Sequence, residues 1–164
     1  PPPPPPPAPP PRYFFFHAQA ALRYPLWSRG LGDVYKRQIE HKSSIPIAYR
    51  KKIGNRIYGC DDCQLVCPWN KFSNPTKITD FKVRHELDEK SLIELFLWSK
   101  SEWEENLIGS AIKRVGYEGW LRNLAIALGN SNSSPELMLA LEKRSQYPSE
   151  MVREHIKWAI DQHT

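Results

Sequence analysis

From Ser91 onward, apolar side chains recur at helical spacing: Leu92, Leu95 and Phe96, then Trp103 and Leu107. Tyr117–Leu128 is denser, with Trp120, Leu121, Leu124, Ile126, Ala127 and Leu128, and Gly129-Asn130 predicts its C-terminal stop. Ser134-Pro135 opens another helix with proline in its first turn, carrying Leu137, Leu139 and Leu141. Ser149 is the expected cap of a last one with Val152, Ile156, Trp158 and Ile160. Further upstream, Pro46 and Gly54-Asn55 bracket a short helix over Ile47–Lys52. Between these parts, Lys71–Glu89 is polar and broken by Pro75, the pattern of a linker.

The start of the chain reads differently. Residues 1–11 are all proline except Ala8, so only an extended polyproline II arm fits them. The stretch that follows, to Gln38, shows no clear period of 2 or 3.6. Its order of prolines, aromatics and arginines does not suit a signal peptide. A proline-rich arm that binds partner domains is one reading. The peptide Asp33-Val34-Tyr35-Lys36-Arg37-Gln38 supports another, because it resembles the translation of a transposon end used in sequencing-library adapters. Residues 1–38 are therefore expected to be a disordered library or assembly scar, with the authentic protein starting near Ile39.

Charge follows that division. The whole chain carries a formal +5, but Arg12, Arg23, Arg29, Lys36 and Arg37 against Asp33 account for most of it. The remainder is nearly neutral, so only local basic clusters can argue for a nucleic-acid partner. Arg50, Lys51, Lys52 and Arg56 form the densest of these, and Lys113, Arg114 and Arg122 a second, with Lys143 and Arg144 further on. Either set could contact phosphates, or serve only as solvated helix ends. Trp98, Trp103, Trp120 and Trp158 could stack on bases, but beside leucines at helical spacing they suit a core. His155 and His163 have no visible catalytic partner. No run of 18 apolar residues occurs, so no membrane helix is expected.

The chemistry lies in three cysteines, Cys60, Cys63 and Cys67, spaced C-x2-C-x3-C and followed by Pro68. Bacterial ferredoxins hold iron–sulfur cubanes with C-x2-C-x2-C-x3-C-P, and the last cysteine of that run ligates the other cluster. This chain matches the last three members, with Ile57 in the slot of the first. Cys60 and Cys63 would then share one [4Fe-4S] cluster while Cys67 reaches a second. Zinc is the rival, with His41 or His85 as fourth ligand, although neither has paired ligand spacing. Disulfides suit an odd count poorly, and three unrelated thiols seldom fall in this order. Two cubanes take about eight thiolates, and the chain has three cysteines, so further ligands are expected upstream of Ile39.

Residues 39–164 resemble the C-terminal part of the epoxyqueuosine reductase family. The likeness rests on Ile39-Glu40-His41 leading to Ser44-Ile45-Pro46, on the block from Ile53 through Cys60, Cys63 and Cys67 to Asn70, and on Leu92-Ile93-Glu94-Leu95-Phe96 with Trp98. Gly109–Arg114 and Trp120-Leu121-Arg122-Asn123 running to Ala127-Leu128-Gly129-Asn130 complete it. The resemblance implies an oxidoreductase that converts epoxyqueuosine to queuosine at the tRNA wobble position, the last step of queuosine synthesis. Its cofactors would be two [4Fe-4S] clusters and cobalamin, the latter held mainly by an upstream domain. Cys60 and Cys63 would ligate the second cluster, nearest the cobalamin, and Cys67 the first. The family has a further upstream cysteine where this chain has Asp33, a departure that fits a junction before Ile39.

The expected fold is α+β but mostly α: a partial two-cluster ferredoxin module over 39–75, a linker over 76–90 and a HEAT-like helical domain over 91–164. Asp61 and Asp62 would face cobalamin or be plain turn acids. Arg50, Lys51, Lys52, Arg56, Lys113, Arg114 and Arg122 are the candidate tRNA contacts. The expected partners are tRNA and an electron donor, with no membrane, a monomeric parent and a cytoplasmic location. No catalytic residue is expected in this stretch, which should be inactive alone. Rival functions are a stand-alone electron-transfer ferredoxin and a HEAT-like RNA-binding module with structural zinc.

Overall fold

The computed structural model describes residues 38–59, 65, 67–74, 76–79, 83 and 85–164. Its helices are α1 (Ile47–Ile53), α2 (Leu92–Leu97), α3 (Lys100–Asn106), α4 (Tyr117–Gly129), α5 (Pro135–Lys143) and α6 (Glu150–Asp161). Two 3-10 turns, Pro68–Phe72 and Ala111–Val115, complete the named elements. No strand occurs among the described residues, so the β part of the expected α+β class finds no support there.

The centre of the fold is α4. Every residue from Gly119 to Gly129 is buried, which only a helix covered on all sides can achieve. It packs most extensively on α6 and then on α2, while α5 lies against α2 and α6. Leu95, Phe96, Trp98, Trp103, Leu107, Trp120, Leu121, Leu124, Leu128, Leu141 and Ile156 fill the main core. Trp98 stacks on Trp120 with centroids 6.3 Å apart. The tryptophans at 98, 103 and 120 are therefore core residues rather than platforms for bases.

The single apolar run expected from Ser91 is two helices. Ser91 and Ser99 each accept from the N–H of the residue three positions on, and Glu94 and Glu102 reach back to their N–H groups. Both are capping boxes, and the second starts a new helix directly after Trp98. The expected cap at Ser149 is positional only: its hydroxyl donates to Glu118 Oε2 at 3.1 Å and leaves the α6 N–H groups alone. The expected stop at Gly129-Asn130 is where α4 ends: Gly129 is its last residue and Asn130 its cap, in right-handed backbone geometry. Glycine is needed at 129 because α6 passes so close.

Residues 38–59 form one unit with the helices. Ile45 and Ile53 are fully buried against Ile126 of α4, with Tyr49 and Trp158 beside them. Gln38, expected at the end of a disordered segment, is fully buried.

Candidate functional site

Of the three cysteines, Cys67 is described. It is half-buried, carries a free thiol and sits in extended backbone immediately before the Pro68–Phe72 turn. Proline at 68 fixes φ and forces a change of direction right after the sulfur-bearing residue. Such a thiol suits a soft thiolate-binding metal group such as an iron–sulfur cluster. Cys60, Cys63, Asp61 and Asp62 lie outside the described residues, as do their expected roles. Near Cys67 in the chain, Leu65, Trp69 and Phe72 are exposed beside Asn70 and Lys71, with the Trp69 and Phe72 rings 5.7 Å apart and Lys71 Nζ 4.9 Å over the Phe72 ring. Among the described residues no three His, Cys, Asp or Glu side chains converge as a metal site. His41 Nε2 lies 2.7 Å from Ser43 Oγ.

The approach to the cysteine run is tied to the helical unit residue by residue. Asn123 of α4 donates from Nδ2 to the carbonyls of Ile57 and Gln38, both at 3.0 Å. Tyr58 donates its hydroxyl to Ala111 O at 3.0 Å. The N–H of Gly59 donates to Gln38 Oε1 at 2.7 Å, and Gln38 Nε2 donates to Arg56 O. Gly59 itself has φ +69, left-handed geometry that glycine adopts without strain.

Arg122 organises the other flank. Its Nη1 donates to His41 O at 2.7 Å and Ser43 O at 2.9 Å, and Nη2 donates to Gln38 O at 2.8 Å. Nε and Nη2 also reach Asn123 Oδ1, at 3.1 and 3.0 Å. Burial lowers the Arg122 pKa to about 10, which leaves it protonated at neutral pH. A fully buried guanidinium satisfied by carbonyls cannot meet a phosphate, so Arg122 is corrected from RNA contact to internal tie.

Arg50 needs the same correction. It is buried, donates from Nε to Ile45 O at 2.8 Å, pairs with Glu154 and lies 5.7 Å from the Trp158 ring centroid. Lys51 and Lys52 remain exposed on α1, with Lys51 also over Trp158 and Lys52 over Tyr49. Arg56 is half-buried beside Gly54. Lys113 and Arg114 are exposed on the Ala111–Val115 turn, where Arg114 pairs with Glu40 at 2.7 Å and Lys42 donates to Arg114 O at 2.7 Å.

Two polar groups, half-buried Asn130 and fully buried His155, take tertiary roles that the sequence pattern does not show. Asn130 donates to Arg50 O at 2.8 Å and Gly54 O at 3.0 Å, closing α1 onto α4. His155 accepts the Ile45 N–H on Nε2 at 3.1 Å and faces Met151 O through Nδ1 at 2.7 Å. A backbone N–H only donates, so Nε2 must be unprotonated and the ring neutral. Burial pushes its pKa down to about 4, in agreement.

Residues 19–70 match the family described as "4Fe-4S double cluster binding domain", so a 4Fe-4S cluster-binding segment is present. That match begins within the stretch expected to be foreign. Among curated proteins, the chain is similar to those named epoxyqueuosine reductase. It is 54% identical over 125 residues to that of Pseudomonas aeruginosa, covering 76% of this chain and 35% of that protein. The Xanthomonas campestris relative is 51% identical over 125 residues, covering 76% and 35%, and the Vibrio cholerae relative 47% over 126 residues, covering 77% and 34%. The chain thus spans about a third of the length of these relatives. A crystal structure of selenomethionine-labeled epoxyqueuosine reductase shares the fold, with a TM-score of 0.56 at 23% identity over 80% of this chain and 43% of that one.

Proposed function

We propose that this chain is the C-terminal part of an epoxyqueuosine reductase, an oxidoreductase that reduces epoxyqueuosine to queuosine at the wobble position of tRNA. The observation that carries the reading is the C-x2-C-x3-C-P run inside the segment matched to the double-cluster family. Identity near 50% to proteins named for that activity supports it. Cys60 and Cys63 hold one [4Fe-4S] cluster and Cys67 a second. Residues upstream of Ile39 in the native gene supply the other thiolates and most of the cobalamin site, with Asp61 and Asp62 at the cofactor edge.

Reducing an epoxide to an alkene takes two electrons and two protons and releases the oxygen as water. Bound clusters and cobalamin supply low-potential electrons and a low-valent metal centre. This chain's own part is to place thiolates at a fixed point on the helical unit and to offer cations to RNA. Lys51, Lys52, Lys113 and Arg114 are the exposed cations that fit phosphate contact, with Arg56 beside them. The helices from Ser91 form a HEAT-like unit that leans on tRNA. The parent works as a cytoplasmic monomer fed by a separate electron donor. Among the described residues no helix is long and apolar enough to cross a membrane.

The test is the uninterrupted native reading frame. The protein expressed from it should convert epoxyqueuosine-containing tRNA to queuosine with cobalamin and a reductant, while the 164-residue chain should not. A native frame that lacks upstream cysteines and a cobalamin domain overturns the proposal.

A further inference from the structure

Among the described tryptophans, Trp98, Trp103 and Trp120 are buried and Trp158 is half-buried, whereas Trp69 is exposed. We propose that Trp69, Phe72, Lys71 and Lys77, on the exposed chain that follows Cys67, dock the electron donor, a small acidic one-electron carrier protein. The proposal rests on the cluster reading above. It names the surface at which electrons enter and the chemistry of the protein that brings them.

Exposure, charge and placement carry the argument. Every described residue from Pro68 to Thr79 is exposed, including Trp69 at 37%, Phe72 at 44% and Ile78 at 58%. None of these three side chains joins either hydrophobic core. The Pro68–Phe72 turn nevertheless holds the rings in place. Asn70 N–H donates to Cys67 O at 3.1 Å, and Ser73 donates to Asn70 O from its N–H at 3.1 Å and its hydroxyl at 2.7 Å. The same turn sets Lys71 over the Phe72 ring, a cation held at the edge of an aromatic pair. Aromatic anchors inside a polar rim are what the centres of protein interfaces use. The charge is one-sided, since residues 67–79 hold Lys71 and Lys77 and no Asp or Glu. Such a patch draws an acidic partner and repels a basic one. Two lysines beside three apolar side chains suit a protein better than an RNA backbone, which needs a row of cations. Cys67 opens the turn and Trp69 lies two residues on, so their Cα atoms are within about 8 Å. Electron tunnelling falls steeply with distance, so a donor must seat beside the metal group it reduces. The patch is small, as suits redox partners, whose encounters are weak and bury little area. Each encounter moves one electron from the carrier to the protein, and two cover the two electrons of one epoxide reduction.

The test uses oxidised flavodoxin, an acidic one-electron carrier, as the probe. Its binding to the 164-residue chain is followed by calorimetry across a salt series. Binding should saturate and should weaken as salt rises. Trp69→Ser with Phe72→Ser should weaken it about tenfold or more. Lys71→Glu with Lys77→Glu should weaken it by a similar factor and flatten its salt dependence. Lys100→Glu with Lys157→Glu, the same charge change at exposed sites on α3 and α6, should leave it as in wild type. In the protein from the uninterrupted frame, the two patch variants should raise KM for reduced flavodoxin about tenfold. They should keep wild-type iron content and wild-type kcat with dithionite, a small reductant that needs no docking surface. No saturable binding to the chain, or equal weakening by the control pair, overturns the proposal. Lost iron or lost dithionite turnover in the patch variants also overturns it, since the rings then pack against the rest of the protein. So does a drop in tRNA affinity in the ring variant, which assigns the rings to RNA. A complete protein that holds no iron sinks the cluster reading, while flavodoxin binding to the 164-residue chain still decides the surface.

Discussion

Gly129 and Ala159 bring α4 and α6 into direct contact. A Cβ on Gly129 would lie 2.9 Å from Ala159 Cα and 2.7 Å from Trp158 Cζ3. Backbone and an indole ring cannot both yield, so the two helices would have to separate. Alanine normally gains about 1 kcal/mol over glycine within a helix, whereas overpacking costs about 1–3 kcal/mol. The clash should win: Gly129→Ala lowers the urea midpoint, and a raised midpoint contradicts this packing.

His155 should make the fold sensitive to mild acid. Its pKa falls from 6.5 to about 4 on folding, so between those values the unfolded chain binds more protons. Stability therefore drops as pH falls through that window, by up to about 3 kcal/mol, and His155 adds no slope above it. Glu154 acts lower. Burial resists its ionisation, but the bonds from Ser44 and Arg50 outweigh this and lower its pKa below 4.5. Denaturant titrations at pH 7, 6 and 5 should show the slope in the wild type and lose it in His155→Gln.

Arg122 should matter for folding and not for RNA. Arg122→Leu leaves the carbonyls of Gln38, His41 and Ser43 without this donor. Unpaired buried acceptors cost about 1–3 kcal/mol each, so a loss of about 3 kcal/mol or more is expected from chemical denaturation. A near-neutral Arg122→Leu would show that the guanidinium is dispensable.

The exposed cations divide the other way. Lys51→Glu with Lys52→Glu, and Lys113→Glu with Arg114→Glu, should leave the melting temperature close to wild type. In the complete protein each pair should weaken tRNA binding. Each should also flatten the salt dependence by about one unit for every phosphate that is no longer neutralised. Unchanged affinity and slope would remove that pair from the interface.

Much of this architecture is legible in the sequence. Pro46 and Gly54 mark α1, Ser134-Pro135 marks α5, and the density of apolar residues after Tyr117 marks α4. The spacing of the cysteines before Pro68 points to the cluster segment that the family match contains. Boundaries fail where two signals overlap. The boxes Ser91–Glu94 and Ser99–Glu102 are both readable, but the continuous apolar pattern masks the break at Trp98. Arg50 and Arg122 mislead for a physical reason. A guanidinium in a charged cluster looks solvated along the chain. For Arg122, only tertiary structure reveals carbonyls from segments 79–84 residues away as its partners.

The cysteine run should bind iron and sulfide. Iron, zinc and acid-labile sulfide should be measured in the protein expressed from the uninterrupted frame and purified without oxygen. About eight irons and about eight sulfides per chain are expected. Cys67→Ser, and Cys60→Ser with Cys63→Ser, should each reduce both by roughly half. Zinc without sulfide, or iron content indifferent to these serines, would contradict it.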